Sequence, residues 1–427
     1  MNHPLRRLPV VFGLAVLCCS VAVGQAFAQK LVKPAPGAIV RGTVTVAVLQ
    51  SVVPAQGYIS VYIDGHFVSA TADTMDKPAP PIMLLRWDSK SPLQDTSLPE
   101  SERYVKDGKR ELRVDVLDAM GRVVDSISST FTLANKVARL SPNDKVRLAY
   151  RFAHGATSSY HVNIDSELIG SSGQASSGNS PVLGDYGIRQ TVEDSRRDGT
   201  ALLSYQTLPD GVCYVLGQPK ILNNGKTSSA VYKEMDQYGR VIQDNVLSRR
   251  SRKSQPDILI QLPTQAIKIG ETWTSTEKFR LEGIGDAVTI KATSTLQDLE
   301  WEGGQECAKI RTAFTGGTGR MLFSDATPIP GQVTGSGLFY VGIKTGKLVK
   351  SIVTLNENVS LDQSASAAAE AASSAPVRGD IVDTMTGPSD RSAYGSMPPG
   401  SASPSAPSAE GSSSGMLRVT ITTGLQG

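Results

Sequence analysis

The sequence predicts an all-β protein, with an N-terminal β-sandwich followed by a larger antiparallel β domain. Apolar and polar residues alternate with period 2 in many short runs, which is the pattern of half-buried strands. The 427 residues include 40 Gly and 24 Pro, and clusters of these turn residues separate the runs. No stretch sustains the 3.6-residue period of an amphipathic helix, so helices should be few and short.

Residues 1–28 are predicted to be a secretory signal peptide. Arg6-Arg7 precede the apolar run Leu8–Val23, and Ala26-Phe27-Ala28 forms an A-x-A cleavage site. The run is shorter than the roughly 18 apolar residues that usually span a bilayer, so cleavage after Ala28 is favoured over a retained anchor. We therefore expect export to the periplasm, the cell surface or the extracellular space, with no membrane span after cleavage.

The segment 31–137 is predicted to form the β-sandwich. Val44, Val46 and Val48 alternate with smaller or polar residues, and Ile59–Ile63 and Leu112–Val116 repeat the pattern. The turn signals between these strands are Pro36-Gly37, Asp64-Gly65, Asp107-Gly108 and Met120-Gly121. Short strands at this spacing indicate two sheets that each bury one face against the other.

This succession of strands and turns resembles the immunoglobulin-like domains of bacterial exported and surface proteins. The resemblance covers only the N-terminal quarter of the chain, and it implies a spacer or adhesion role without an active site. Two features depart from the pattern. The segment has no cysteine pair across the sheets, and the proline-rich insert Met75–Met83 lengthens one loop.

The segment 140–362 is predicted to be the larger antiparallel β domain. Alternating runs begin at Val146–Phe152 and Tyr160–Ile164. Nine further predicted strands, among them Ile258–Leu262, continue the series to Leu348–Leu355. The hairpin sequences Asp236–Ile242 and Ile343–Val349 are alike, which leaves two alternatives: two sequential meanders, or unrelated glycine hairpins.

The residue pattern changes twice in the C-terminal part of the sequence. Residues 363–415 are dominated by Ala, Ser, Pro and Gly and are predicted to be disordered, because they cannot bury enough apolar surface to offset their ordering entropy. Residues 416–427 alternate again. Leu417, Val419 and Ile421 need burial, so we expect this segment to be a last strand that docks on the larger β domain.

Charge and composition restrict the partners. Without Arg6 and Arg7, 41 basic residues stand against 40 acidic residues, so the mature chain carries a net charge of +1. A nearly neutral chain has no overall field that would attract nucleic acid, which is therefore excluded as an expected partner. A cell-envelope component, another protein or an apolar ligand remain as candidate partners.

Two cysteines remain after the signal peptide, Cys213 and Cys307, and both lie in strand-like runs. An even number of cysteines in an oxidising compartment permits a disulfide between them. The alternative is two separate buried thiols that act as small hydrophobes, and only geometry decides between the two.

The sequence supports no catalytic, cofactor or metal site. His66 adjoins a turn, and His154 and His161 flank a short loop without a nucleophile motif or a third metal ligand. The carboxylates Asp298, Glu300 and Glu302 are expected to form an exposed acidic face. The basic run Arg249–Lys253 is expected to be a solvated loop.

The function predicted from these observations is that of an exported, non-enzymatic binding or structural protein of a bacterial envelope or of the extracellular space. One alternative is a periplasmic carrier that holds a lipid or another apolar ligand in a cavity of the second β domain. A hydrolase with a dispersed site is a third interpretation. The segments Leu262-Pro263 and Ile267–Trp273 resemble a stretch that recurs in exported bacterial proteins of unknown function, and this likeness implies no site.

Overall fold

The computed structural model describes residues 30–75, 81–137, 144–169, 182–209, 211–215, 218–221, 227–244, 259–281, 284–318, 333–360 and 414–426. The chain is all-β, as predicted: these residues form antiparallel strands and two short 3-10 turns, Gln50–Val52 and Glu100–Glu102. In this part of the chain, no helix has the length and apolar character needed to cross a bilayer. The predicted signal peptide and nearly all of residues 363–415 lie outside the described residues.

The described chain divides into two compact units, and Leu133 begins the main part of the second. The strands of the first are β1 (Leu31–Lys33), β2 (Ile39–Val40), β3 (Thr43–Leu49), β4 (Tyr58–Ile63), β5 (His66–Thr71), β6 (Thr74–Met75), β7 (Ile82–Asp88), β8 (Gly108–Leu117) and β9 (Val123–Leu133). The strands of the second are β10 (Thr157–Ile169), β11 (Val182–Ser195), β12 (Ala201–Thr207), β13 (Val212–Val215), β14 (Gln218–Ile221), β15 (Val231–Met235), β16 (Val241–Asp244), β17 (Thr272–Leu281), β18 (Ile284–Glu302), β19 (Gln305–Thr318), β20 (Val333–Gly342), β21 (Leu348–Ser360) and β22 (Ser414–Leu425).

The strand order of the first unit fits an immunoglobulin-like fold. One sheet has the order β1-β3-β7-β6 and the other β2-β9-β8-β4-β5. In the letters used for immunoglobulin domains, β1, β3, β7 and β6 correspond to strands A, B, E and D of one sheet. In the other sheet β9, β8 and β4 correspond to G, F and C, and β2 and β5 are additional edge strands. Both sheets bury alternate residues, such as Val44 and Val46 on β3 and Val114 and Val116 on β8. The Asp64-Gly65 turn joins β4 to β5 with positive φ at both residues, as a tight hairpin requires.

The second unit is built on one large antiparallel sheet. Its strand order in the described residues is β16-β15-β12-β11-β10-β22-β21-β20-β19-β18-β17, and the hairpin β13–β14 pairs with the first part of β11. Strands β17 to β22 follow one another along both the chain and the sheet. The last strand lies between β10 and β21, with register pairs from Tyr160↔Leu425 to Ile169↔Met416 on one side and from Lys350↔Gly424 to Ser360↔Ser414 on the other.

Two predicted strands are instead extended segments that pack on the buried face of this sheet. Val146, Leu148 and Tyr150 are buried in the main core, and so are Leu259 and Leu262. A single bridge joins Val146 to Ile267, and no ladder forms along either segment. The alternation therefore predicted correctly which residues are buried. It did not predict that these segments pack against the sheet without pairing with a neighbouring strand.

The two similar hairpins each hold a glycine where an extended segment passes closely. Gly239 has φ +84°, and a Cβ there would lie 2.5 Å from the carbonyl oxygen of Ile260. Gly346 has φ +58°, and a Cβ there would lie 2.6 Å from the backbone nitrogen of Arg151. The backbone N–H of Arg151 donates to the carbonyl of Gly346 at 3.2 Å. Both turns thus require glycine for conformation and for the close approach.

Replacing Leu417 by Ala should destabilise the second unit by about 3 kcal/mol, because this fully buried side chain belongs to the central strand of the sheet. The free energy of unfolding, measured by urea titration of the full chain, checks this. The control is Thr422→Ala on the same strand, where the side chain is only half-buried and the expected change is about 0.5 kcal/mol. Equal effects of the two substitutions would contradict a central position for β22.

Candidate binding groove

A surface groove of about 680 Å³ lies in the second unit where four pieces of the chain meet. Its walls are the turn Asp236–Arg240 between β15 and β16, the segment Gln261–Ile267, and the start of β17 at Glu271–Ser275. Lys145 completes the lining. This volume is within the range of ~300–1,000 Å³ that small-molecule sites in proteins have.

Hydrogen bonds from the segment Gln261–Ile267 fix both sides of the groove. The backbone N–H of Leu262 donates to the carbonyl of Tyr238 at 2.7 Å. The side-chain amide of Gln261 donates to the carbonyl of Thr276 on β17 at 2.7 Å. Because β16 and β17 are the terminal strands of the described sheet order, one segment ties both ends of the sheet together and leaves the groove between them.

Two half-buried aromatic rings contribute to the lining, and each is held by a hydrogen bond. The indole Nε1 of Trp273 donates to the carbonyl of Gln261 at 2.9 Å. The guanidinium Nη2 of Arg147 lies 3.0 Å from the hydroxyl of Tyr238 and donates to it, and this hydrogen bond raises the pKa of Arg147. The rings are therefore oriented before any ligand arrives.

The two carboxylates of the groove are held by neighbouring groups, whereas two of the nearby cations have no carboxylate partner in the described chain. Asp236 accepts from the backbone N–H groups of Tyr238 and Arg240, both at 2.9 Å, and pairs with the Arg240 guanidinium at 3.2 Å. Glu271 accepts from the backbone N–H of Lys268 at 3.0 Å. Lys145 and Arg147 are exposed, and no carboxylate of the described chain lies within ion-pair distance of either. The cations Lys145, Arg147 and Arg240 outnumber the carboxylates Asp236 and Glu271 by three to two, so the groove and its rim together carry a net charge of +1.

The second unit also contains a small, partly open cavity, lined by Tyr150, Tyr160 and Gln190 among others. Its volume is about 20 Å³, which suits one water molecule and is far below the ~300 Å³ of a small-molecule pocket. Burial raises the pKa of both tyrosines, so their phenols stay neutral at physiological pH. At this point the core is filled, and the cavity gives no support to a carrier of apolar ligands.

The histidines singled out in the sequence lie apart from the groove. His66 pairs with Asp95 at 3.0 Å in the first unit, where hydrogen bonds from Ser97 and then from His66 lower the pKa of Asp95. His161 lies 3.5 Å from Asp185, and both side chains are exposed. His154 is also exposed. In the described parts of the chain, no group of three or more His, Cys, Asp and Glu side chains is arranged to hold a metal ion.

The prediction of an exposed acidic face at residues 298–302 was wrong. Asp298, Glu300 and Glu302 have side-chain exposures of 25, 10 and 14 %, and each faces a lysine. The three pairs are Asp298–Lys136 at 2.9 Å, Glu300–Lys309 at 2.9 Å and Glu302–Lys350 at 3.9 Å. A register shift between Leu296 and Asp298 breaks the alternation, so that Leu299 and Glu300 are both buried.

Cys213 and Cys307 are both buried, and no disulfide joins them. Cys213 on β13 belongs to the main core. Cys307 on β19 packs with Tyr340 and Val349 instead, whereas its neighbour Ala308 belongs to the main core. Because successive residues of a strand face opposite sides of the sheet, the two thiols lie on opposite faces and the bridge left open by the sequence does not form.

Sequence reasoning missed the groove, although it singled out part of its wall. Leu262-Pro263 and Ile267–Trp273 contain residues that line it. No spacing motif connects these residues with Lys145 or Tyr238, which the fold brings to the same place. The basic run Arg249–Lys253 lies outside the described residues.

Comparison with known proteins identifies no family. No family model matches the chain, and no curated protein matches it. A structure of Clostridium thermocellum CbhA fibronectin(III)-like modules is similar at a TM-score of 0.16 and 11% sequence identity, over 48% of this chain and 92% of that chain. Likeness at this level bears neither on the fold nor on the function of the present protein.

Replacing Lys309 by Met should lower the free energy of unfolding by about 3 kcal/mol, because the mostly buried Glu300 carboxylate loses the ammonium 2.9 Å away. The matched control is Lys344→Met. The Lys344 side chain is 76% exposed and its ammonium lies 3.3 Å from Glu306, so the expected change is only about 0.5 kcal/mol. Urea unfolding of the full chain measures both. If the two variants lose the same stability, the acidic residues at 298–302 are not a buried structural network.

Proposed function

We propose that this protein is exported by a bacterium and acts without catalysis as a binding protein of the envelope or the extracellular space. Its ligand contacts the groove of the second unit, and the first unit serves as a spacer or adhesion module. The groove is the observation that carries this proposal, because its volume and fixed aromatic rings are those of a binding site.

The lining of the groove favours binding over catalysis. Its two carboxylates, Asp236 and Glu271, are each occupied by backbone N–H groups of their own turns. Neither is therefore positioned as the general base of a paired site, and no His or Cys contributes to the described lining. The remaining neutral polar side chains are amides and hydroxyls, which recognise a ligand by hydrogen bonds without activating it, and the cations of the lining are Lys145 and Arg240.

Export is supported by the basic, apolar and A-x-A segments of residues 1–28. In a bacterial host that exports the protein, the mature chain should begin at Gln29. N-terminal sequencing of the purified extracytoplasmic fraction checks this position. A chain that retains Met1 in the cytosolic fraction would refute export, and Ala28→Asp provides a variant in which processing should fail.

Binding to envelope material should depend on the groove. We expect the mature chain to co-sediment with isolated bacterial envelopes, and Thr264→Tyr/Thr274→Tyr should reduce the bound fraction at least about fivefold by filling the groove. The control is Thr315→Tyr/Thr334→Tyr, which adds the same two rings at exposed strand positions outside the groove lining. Thermal unfolding verifies that both variants fold. Equal binding by the two double variants would refute the groove as the contact site.

A further inference from the structure

We infer that the ligand of the groove is an acidic oligosaccharide, a chain of sugar units that carry carboxylates. This inference rests on the proposed function and specifies its ligand class. Three features support it. The lining contains fixed aromatic rings and exposed neutral hydrogen-bonding groups. Two exposed cations are also present: Lys145 lines the groove, and Arg147 lies beside it, hydrogen-bonded to the lining residue Tyr238.

The aromatic rings suit the faces of sugar rings. Trp273 and Tyr238 are half-buried and held by hydrogen bonds, so they offer fixed apolar surface next to water. Sugars present C–H groups on one ring face and hydroxyls at the rim, and such faces pack on aromatic rings. A ring fixed in advance loses little conformational entropy when the ligand binds.

Neutral polar side chains also line the groove. Thr264, Gln265, Thr272 and Thr274 are exposed, and all four line it. Hydroxyls both donate and accept, and an amide provides a donor and an acceptor side by side. These groups match the neighbouring hydroxyls of a sugar.

The charges select an acidic sugar over a neutral one. Asp236 is offset by its ion pair with Arg240, and Glu271 accepts a hydrogen bond within its own turn. Two exposed cations remain: Lys145 in the lining and Arg147 at the hydroxyl of Tyr238. A ligand carboxylate at this position gains charge-assisted hydrogen bonds from both cations. Two cations are few for a nucleic acid, whose affinity depends on contacts to many phosphates.

An extended peptide fits this place less well. A peptide that adds to the edge of β17 needs a row of backbone groups along that strand. The side-chain amide of Gln261 already occupies the carbonyl of Thr276, and the backbone N–H of Gln261 donates to Glu277 at 3.1 Å. Only the first residues of the strand, Thr272–Ser275, border the groove, which is too short a row for a stable added strand.

Calorimetric titration of the full mature chain tests the inference with three probes: tetragalacturonate, its carboxyl-reduced neutral counterpart, and tetraglutamate. We expect tetragalacturonate to bind at least about tenfold more tightly than the other two at low salt, with the advantage weakening as salt rises. Lys145→Gln/Arg147→Gln should remove that tenfold advantage. Trp273→Phe should weaken both sugars alike.

The matched control for charge is Lys291→Gln/Arg311→Gln, which removes two exposed cations of the same unit outside the groove lining and should leave binding unchanged. The inference is overturned if tetragalacturonate does not bind, if the Lys145/Arg147 variant binds it like the parent chain, or if tetraglutamate binds more tightly. If the groove-filled chain still loses envelope binding in any of these cases, the proposed function survives and only the ligand class is wrong.

Discussion

The second unit depends on the pairing of its last strand with two strands that are distant in sequence. In the sheet order, β22 separates β10–β16 from β17–β21, so it is the only described strand that joins the two sets. Each half alone would present an open edge of backbone groups at β10 or at β21. The period-2 geometry also places Leu417 and Val419 in the core, where both are fully buried. Register and burial are therefore fixed by the same contact.

The cost of this arrangement is entropic, and burial offsets it. Residues 361–413 separate β21 from β22 in the sequence, and the entropic cost of pairing two strands grows slowly with the length of chain between them. Burying Leu417 and Val419 returns ~1.5–3 kcal/mol each, and the hydrogen bonds on both sides of β22 add to this. Because the contact is non-local, the central ladder should form late in folding, after the meander β17–β21.

The alternation of apolar residues predicted the all-β class and the last strand, because period 2 reports which residues are buried. It does not report what buries them. Val146–Tyr150 and Leu259–Leu262 alternate or cluster like strands, yet they cross the buried face of the sheet as extended segments. The prediction of an exposed acidic face at residues 298–302 was wrong for a related reason. A bulge breaks the alternation there, and lysines from elsewhere in the chain, such as Lys136 and Lys350, pair with the carboxylates. The acidic residues therefore belong to a largely buried network of ion pairs.

The groove could not be predicted from the sequence, because it forms where one segment of the chain ties the two terminal strands of the sheet together. Lys145, Tyr238 and Trp273 belong to three separate pieces of chain, and no residue spacing relates them. Tyr238 and Trp273 are brought together by Gln261 and its neighbour Leu262. Gln261 forms hydrogen bonds with Trp273, Thr276 and Glu277, and Leu262 donates to the carbonyl of Tyr238 in the opposite turn. The same hydrogen bonds that tie the ends of the sheet thus also orient the rings of the site. Rigidity of the fold and preorganisation of the groove therefore have one origin. The exposed lining side chains Gln265 and Thr264 make no such hydrogen bonds to the described residues, so ligand preference can change at these positions without loss of the fold.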